Sequence, residues 1–452
     1  MARAHFGTDG VRGVANEELT AELALAIGRA TARILPAPSF VIGRDTRRSG
    51  PLLQAALSAG LAAEGADVVD LGVLPTPGLA TVSAQRRMPG AMVSASHNPF
   101  GDNGIKLFSS LGTKLPISLE VEVEHEIASI LADSERPPRR PTGHGVGRII
   151  DDPSAADLYR SHLVSTLEGR TLEGLHIVVD CANGAASAFA PGVLTELGAT
   201  VTALYDAPDG ANINEKCGST DPGELARTVL EQRADLGLAL DGDADRVIAV
   251  DNTGTVVDGD VLLALFALDL ASRGHLAGNT VVVTVMTNLG FRLTMEANGI
   301  GVRETDVGDR HVLLALDADG LALGGEQSGH IIFRNRSTTG DGILTGIALA
   351  DLMCRARRSL SYLADGLVER VPQVLVNVPI PQPGRLADCD VVWDAVASAE
   401  AELGQSGRVL LRASGTEPLV RVMVEARLEE QANDVAARLA ELVASELGQV
   451  GA

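Results

Sequence analysis

Ser96, Lys106 and the triplet Asp241, Asp243 and Asp245 are the residues whose types and spacing can do chemistry together. Ser96 lies in Ser94-Ala-Ser-His-Asn-Pro99, which can present a hydroxyl nucleophile at the end of an apolar strand. Lys106 is one of three lysines in 452 residues, with Lys114 and Lys216, and nearly all other positive charge is Arg. Arg cannot release a proton at working pH whereas a buried Lys can, which favours a special role for Lys106. Asp241-Gly-Asp-Ala-Asp-Arg246 sets carboxylates at alternate positions. On an extended backbone they would point the same way and offer oxygen ligands suited to Mg²⁺. Two unit charges 4 Å apart repel by about 4 kcal/mol at an effective dielectric near 20. Three clustered carboxylates therefore need a cation, a proton or separation. An EF-hand is excluded, because Arg246 and Asn252 stand where that loop needs Gly and Glu. A phosphorylated Ser96 would carry roughly −1.5 to −2 charge and could itself ligate the cation. Hydroxyl, rare lysine and hard-cation loop together point to metal-assisted phosphoryl transfer. Taken singly, Ser96 reads as a turn residue and the Asp loop as a solvated acidic turn. His97 could act as a base, but adjacent side chains rarely face each other.

Two further loops carry polar groups. In Arg412-Ala-Ser-Gly-Thr-Glu-Pro-Leu-Val-Arg421, two arginines bracket a Ser-Gly-Thr turn whose backbone N–H groups could cradle an anion. Glu326-Gln-Ser-Gly-His330 offers groups suited to sugar hydroxyls, with a titratable His330. Their alternatives are a polar hairpin and a Gly-rich surface loop. Neither a Walker A sequence, a Gly-x-Gly-x-x-Gly fingerprint nor a Gly-x-Ser-x-Gly elbow at Ser96 is present, so NTPase, Rossmann dehydrogenase and esterase readings lack support.

The elements that must position these loops read as three similar blocks. Period-2 apolar runs predict strands at 40–45, 67–71 and 91–95, then 175–180, 200–205 and 236–240, then 280–285, 301–305 and 321–323. Gly65, Gly198 and Gly299 each precede a middle strand, as a Gly that ends a helix would. Strand–helix–strand alternation implies right-handed crossovers and a mostly parallel sheet. Each third strand runs into one of the chemical loops, at Ser96, Asp241 and Gly324, and ligands bind beyond the carboxyl ends of such strands. The Pro/Gly-rich 134–145 stretch, Asp251-Asn-Thr-Gly254 and Val371-Pro372 mark boundaries, giving domains 1–145, 146–252, 253–370 and 371–452. Strands at 373–380, 408–412 and 419–425 make the last a small α+β domain with an antiparallel pair.

A formal charge of −22 opposes nonspecific binding to nucleic acid or anionic membrane. It also requires a locally positive cleft for any anionic substrate. No run of 18 apolar residues or signal-peptide core is found, and four scattered cysteines show no disulfide or zinc spacing. Cytoplasm is the expected compartment.

Five motifs in order resemble the α-D-phosphohexomutases: Phe6-Gly-Thr-Asp-Gly-Val-Arg-Gly13, Ser94–Pro99, Asp241–Arg246, Gly325–His330 and Arg412–Pro418. The opening motif and Gln327 resemble the bacterial phosphoglucosamine mutase branch of that family. His311 departs from the Tyr that relatives often carry there. The resemblance implies four domains around a central cleft, three related mixed or parallel α/β domains and a smaller α+β C-terminal one. It implies that phosphoserine at Ser96 converts glucosamine 6-phosphate to glucosamine 1-phosphate through a 1,6-bisphosphate, feeding UDP-N-acetylglucosamine and cell-wall precursors. A glucosamine or glucose 1,6-bisphosphate would serve as activator. One Mg²⁺ would be held by Asp241, Asp243, Asp245 and the phosphoserine. Arg12, Lys106 and Arg246 would stabilise or move charge, with the imidazoles of His97 and His330 at the same end. Whether Lys106 or His330 moves the proton is left open. Glu326 and Ser328 would hold sugar hydroxyls, and Arg412, Ser414, Gly415, Thr416 and Arg421 would clamp the non-reacting phosphate. The implied partners are sugar phosphates, with a homodimer left open. The competing readings are a mutase for mannose or glucose phosphates, a noncatalytic cation or sugar-phosphate binder, and a phosphatase.

Overall fold

The computed structural model describes residues 6–7, 9–132, 140–414 and 418–448. The chain divides into two compact units, one of 1–284 and 303–365, the other of 285–302 and 366–452.

The first unit is built on three repeats of one sheet pattern. In the first, strands lie in the order Val11–Val14, Asp102–Phe108, Gly90–Val93, Ser39–Arg44, Asp67–Val73 and Ile149–Asp151. The second runs Val256–Val257, Val247–Asp251, Leu236–Leu240, His176–Asp180 and Thr200–Leu204, and the third Gly301–Thr305, Thr280–Thr284, Leu323–Gly325 and Ile331–Phe333. In each, the first strand of the block is flanked by the middle and third strands. A fourth strand then returns antiparallel beside the third. Gly65, Gly198 and Gly299 have φ of 99°, 99° and 68°, the left-handed helix ends expected of them.

The antiparallel fourth strands are the feature that the mostly parallel expectation lacked. Asp102–Phe108, for which no strand was expected, is one of them, with Asn103 and Lys106 buried. The strands Val247–Asp251 and Ile331–Phe333 are buried throughout, so neither shows the alternation of a half-buried strand. Their effect is to turn each chemical loop into a hairpin. Leu240 pairs with Val247 and Gly325 with Ile331, so residues 241–246 and 326–330 are tight connections at the carboxyl end of a central strand.

The second unit holds the helix Leu289–Ala297 and a C-terminal sheet in the order Gln373–Pro379, Leu419–Glu425 and Arg408–Ala413, all antiparallel. Helices Asp390–Leu403 and Glu429–Leu447 contribute Val392, Val396, Val435, Leu439 and Val443 to its apolar core. This is the small α+β domain with an antiparallel pair that the sequence implies. Among the described residues no helix is long and apolar enough to cross a membrane.

One buried carboxylate of the first unit gives a testable pH dependence. Asp341 caps the helix Gly342–Ala356, accepting the Leu344 N–H at 2.9 Å and the Tyr159 hydroxyl at 3.0 Å. Burial pushes its carboxyl up to about 7, against the lowering effect of those bonds. A folded-state value above the unfolded one favours folding at acid pH, a contribution lost as pH rises through 7. Asp341→Asn mimics the protonated form and keeps the cap. Its melting temperature relative to the parent should rise between pH 5.5 and 8.5; a constant or falling difference would refute the assignment.

Candidate active site

Ser96 follows the strand Gly90–Val93 with φ of 52°, in the left-handed region. A non-Gly residue there costs on the order of 1–3 kcal/mol and persists only where its surroundings over-determine it. Ser96 Oγ donates to Asp241 Oδ2 at 2.5 Å, and His97 Nδ1 lies 3.4 Å from Ser96 Oγ. His97, a candidate base despite being adjacent in sequence, thus has its ring beside the Ser96 hydroxyl. The left-handed turn at Ser96 removes the alternation that an extended backbone would impose.

The carboxylates converge for a related reason. They do not sit on extended backbone as the alternate spacing implied: Leu236–Leu240 ends before them, and Ala244 turns left-handed at φ 57°. All three are buried, each offering one oxygen within 4.8 Å of the others. Gly242 permits the approach of the two loops, since a Cβ there would stand 2.6 Å from the Ser96 carbonyl oxygen.

Each carboxylate is aimed by its neighbours. Asp241 Oδ1 accepts the Arg246 backbone N–H at 3.2 Å. Asp243 Oδ2 accepts from Thr76 Oγ1 at 2.6 Å and Lys106 Nζ at 2.8 Å. Lys106 also reaches Asp245 Oδ2 at 3.4 Å, where His330 Nδ1 stands at 3.7 Å. The Oδ1 atoms of Asp243 and Asp245 are buried without a hydrogen-bond partner. Orphaned, converging carboxylate oxygens are the donor set a hard divalent cation takes, so these residues fit one.

The charge pattern follows from burial and pairing. Burial, then Asp245 and Asp243, hold the Asp241 carboxyl well above its usual range. Burial pushes Asp245 the same way, but Lys106, His330 and Arg246 outweigh it and hold Asp245 well below. Burial would lower Lys106, yet Asp243, Asp245 and Asp9 raise it, so it stays a cation. Burial, with Arg246 and Arg12, pushes the His97 imidazole down to about 4. For His330, burial is overcome by Asp245, Asp309 and Glu326, which raise it. Its Nε2 accepts the Gly340 N–H at 2.9 Å, so double protonation requires that bond to turn away.

Arg12, on the strand beside that of Lys106, donates to Asp9 Oδ2 at 2.9 Å and reaches Asn98 Oδ1 at 3.5 Å. Lys114 bridges Asp9 at 2.6 Å and Asp309 at 2.7 Å. Glu326 Oε1 accepts the Gly308 N–H at 3.0 Å, while Ser328 is exposed. The first unit therefore brings Ser96, His97, Lys106, the three Asp, Arg246 and His330 together, with Arg12 and Glu326 linked through Asp9, Gly308 and the neighbouring loops. Thr76, Asp9 and Lys114 were missed as participants. Asp9 lay within a quoted motif, but Thr76 opens a helix far from the metal loop in sequence and gave no signal.

In the second unit Arg412 and Arg421 are directly opposite across an antiparallel pair, and the Ser414 N–H donates to the Leu419 carbonyl at 2.9 Å. Two arginines opposite each other concentrate positive charge on one face, which suits a bidentate-bound phosphate. Gly415 and Thr416 lie outside the described residues.

Repeated sheets ending in a buried hydroxyl–carboxylate–lysine cluster define the class, and comparison with known proteins agrees. The chain belongs to the phosphoglucomutase/phosphomannomutase family: its α/β/α domains I, II and III match residues 3–134, 157–254 and 258–371, and its C-terminal domain matches 375–442. Phosphoglucosamine mutase of Kineococcus radiotolerans is 52% identical, covering 99% of this chain and 100% of its own. That of Saccharopolyspora erythraea is 53% identical over 97% and 99%. Among solved structures, a phosphoglucomutase/phosphomannomutase family protein from Burkholderia thailandensis superposes with a TM-score of 0.81 at 26% identity, over 98% of each chain. N-acetylphosphoglucosamine mutase of Aspergillus fumigatus, solved with GlcNAc-6P and magnesium, shares the fold at TM-score 0.66 and 19% identity, over 97% and 95%.

Proposed function

We propose that this chain is a cytoplasmic mutase that interconverts glucosamine 6-phosphate and glucosamine 1-phosphate through a phosphoserine at Ser96. The observation that carries the reading is the 2.5 Å contact between Ser96 Oγ and Asp241 Oδ2, which sets a buried hydroxyl against one of three converging carboxylates from another sheet. The identity to phosphoglucosamine mutases along the whole chain supports the amino-sugar substrate.

In this reading a 1,6-bisphosphate of glucosamine or glucose first loads Ser96, one P–O(sugar) bond breaking as the sugar leaves as a monophosphate with the Oγ proton. The P–Oγ bond then breaks as a bond forms to O1 of glucosamine 6-phosphate, and the O1 hydroxyl proton is passed through the site to Oγ. The resulting 1,6-bisphosphate turns around; its P–O6 bond breaks, the phosphoryl group returns to Oγ, and O6 takes up the proton that Oγ gives up. Asp241, Asp243, Asp245 and the phosphoserine would hold Mg²⁺, which when bound offsets charge on the transferring group. Lys106, Arg246 and Arg12 supply fixed positive charge, and His97 stands where a proton at Oγ can be held. Glu326 and Ser328 would take sugar hydroxyls. Arg412, Ser414, Gly415, Thr416 and Arg421 would clamp the resting phosphate. The matched family segments support boundaries near 145, 252 and 370.

Arg421→Ala removes one charge-assisted bond to phosphate, of about 1.5–3 kcal/mol. KM for the sugar phosphate should rise roughly 10- to 100-fold with a smaller change in kcat, and an unchanged KM would count against the clamp. The reading as a whole is tested by ³¹P NMR with Mg²⁺, a trace of sugar 1,6-bisphosphate, and glucosamine 6-phosphate competing with glucose 6-phosphate and mannose 6-phosphate. Preferential formation of glucosamine 1-phosphate is expected. Preference for a neutral sugar would overturn the substrate, and release of inorganic phosphate alone would overturn the mutase.

A further inference from the structure

We infer that Arg47 is a positioning residue for phosphoryl transfer, holding the Ser96 loop in its left-handed turn without touching the reacting atoms. Its side chain is fully buried and paired with Asp45, Nε to Oδ2 at 2.9 Å. The rest of the guanidinium is spent on backbone carbonyls of one loop. One terminal nitrogen donates to Ser96 at 2.9 Å and Asn98 at 2.8 Å, the other to Pro99 and to Asp102 at 3.0 Å. A planar fork with five donors can do this, and an ammonium cannot.

The same pair also reaches the other side of Ser96. Asp45 Oδ2 accepts from Ser94 Oγ at 2.7 Å, and Ser94 Oγ accepts the Ser96 N–H at 2.9 Å. Both the N–H and the carbonyl of Ser96 are thus tied to the Asp45–Arg47 pair. A second clamp comes from Asn214, whose Nδ2 donates to the Ser96 and Asn98 carbonyls at 2.9 and 3.0 Å. These bonds over-determine a strained residue, the condition under which a left-handed serine persists. They fix where Oγ points, and with it the distance to Asp241.

The inference rests on the phosphoserine reading for its catalytic consequence, and on geometry alone for the hold on the loop. The test therefore measures both. Arg47→Lys keeps the charge and loses the fork; Asn214→Ala removes the second clamp and leaves the buried arginine in place. Misplacing a reacting group by about 1 Å costs on the order of 100-fold, so kcat of Arg47→Lys should fall about 100-fold with KM within about threefold. Asn214→Ala should lose about tenfold by the same route. Amide hydrogen exchange at Asn98 and Asp102, which bond within the loop to Ala95 and Pro99, should quicken at least about tenfold in both, with the helix Ala21–Ile34 unchanged. Parent-like kcat, a rise in KM in place of a fall in kcat, or unchanged exchange would overturn the role. If Arg47→Lys does not fold, Asn214→Ala decides by the same readouts. If the parent turns over no hexose phosphate, the mutase reading fails, and exchange at 96–102 still judges the hold.

Discussion

Ser96→Ala is expected to lower kcat by about 10⁴-fold or more, the scale of loss when a nucleophile is removed. The reason is covalent: without Oγ there is no acceptor for the phosphoryl group between its two positions on the sugar. The fold should survive, because the backbone bonds of Ser96 to Ser94, Arg47 and Asn214 do not involve the hydroxyl. The hydroxyl donates to Asp241, and its loss leaves that oxygen free for a cation. Circular dichroism and melting should therefore match the parent within a few degrees, while phosphorylation at this position disappears. Parent-like turnover in the variant would end the phosphoserine proposal.

The second large effect is expected from Asp241→Asn, and its direction depends on whether metal is present. Without metal, Asp241 is a buried carboxylate beside two others, and repulsion between such charges is about 4 kcal/mol at 4 Å and an effective dielectric near 20. Lys106 pairs with Asp243 and Asp245, and those two carboxylates in turn raise Asp241, which bears much of that repulsion. Asn keeps the shape and an acceptor for the Arg246 N–H while removing the charge. The metal-free variant should therefore melt above the metal-free parent. Adding Mg²⁺ should raise the parent, by about 2.7 kcal/mol of stability at a concentration 100 times its dissociation constant, and leave the variant nearly unmoved. Activity of the variant should fall about 10³-fold even with excess Mg²⁺, comparable to removing a key electrostatic stabiliser. Equal Mg²⁺ stabilisation of both proteins would show that the triplet is not the cation site.

How far the sequence foretold this arrangement depends on whether a feature left a local trace. Gly65, Gly198 and Gly299 did, because a left-handed helix end favours Gly, and they located the repeats. The ends of the third strands did as well, since apolar runs stop where polar loops begin. The fourth strands did not. Burial on both faces erases alternation in Val247–Asp251, and Lys106 in Asp102–Phe108 is tolerated only through carboxylates that arrive from a distant loop. Asp243 was legible as a candidate ligand, whereas Thr76, which aims it, was not. Arg47 was hidden for the same reason. Thr46-Arg-Arg-Ser49 carries no motif, and only the fold reveals that Arg47 is sealed beneath Ser96. Residues that do chemistry recur in short motifs; residues that position them are defined by contacts across the chain.

The central claim is that Ser96 carries the phosphoryl group between the two positions of the sugar. It is tested most directly by loading the protein with a sugar 1,6-bisphosphate, mapping the modified residue by peptide mass spectrometry, and then adding glucosamine 6-phosphate with Mg²⁺. The account predicts one phosphoryl group per chain on Ser96 that passes to the sugar as 1,6-bisphosphate and glucosamine 1-phosphate. A phosphoryl group on another residue, one that stays on Ser96 when the sugar is added, or one released as inorganic phosphate would contradict it.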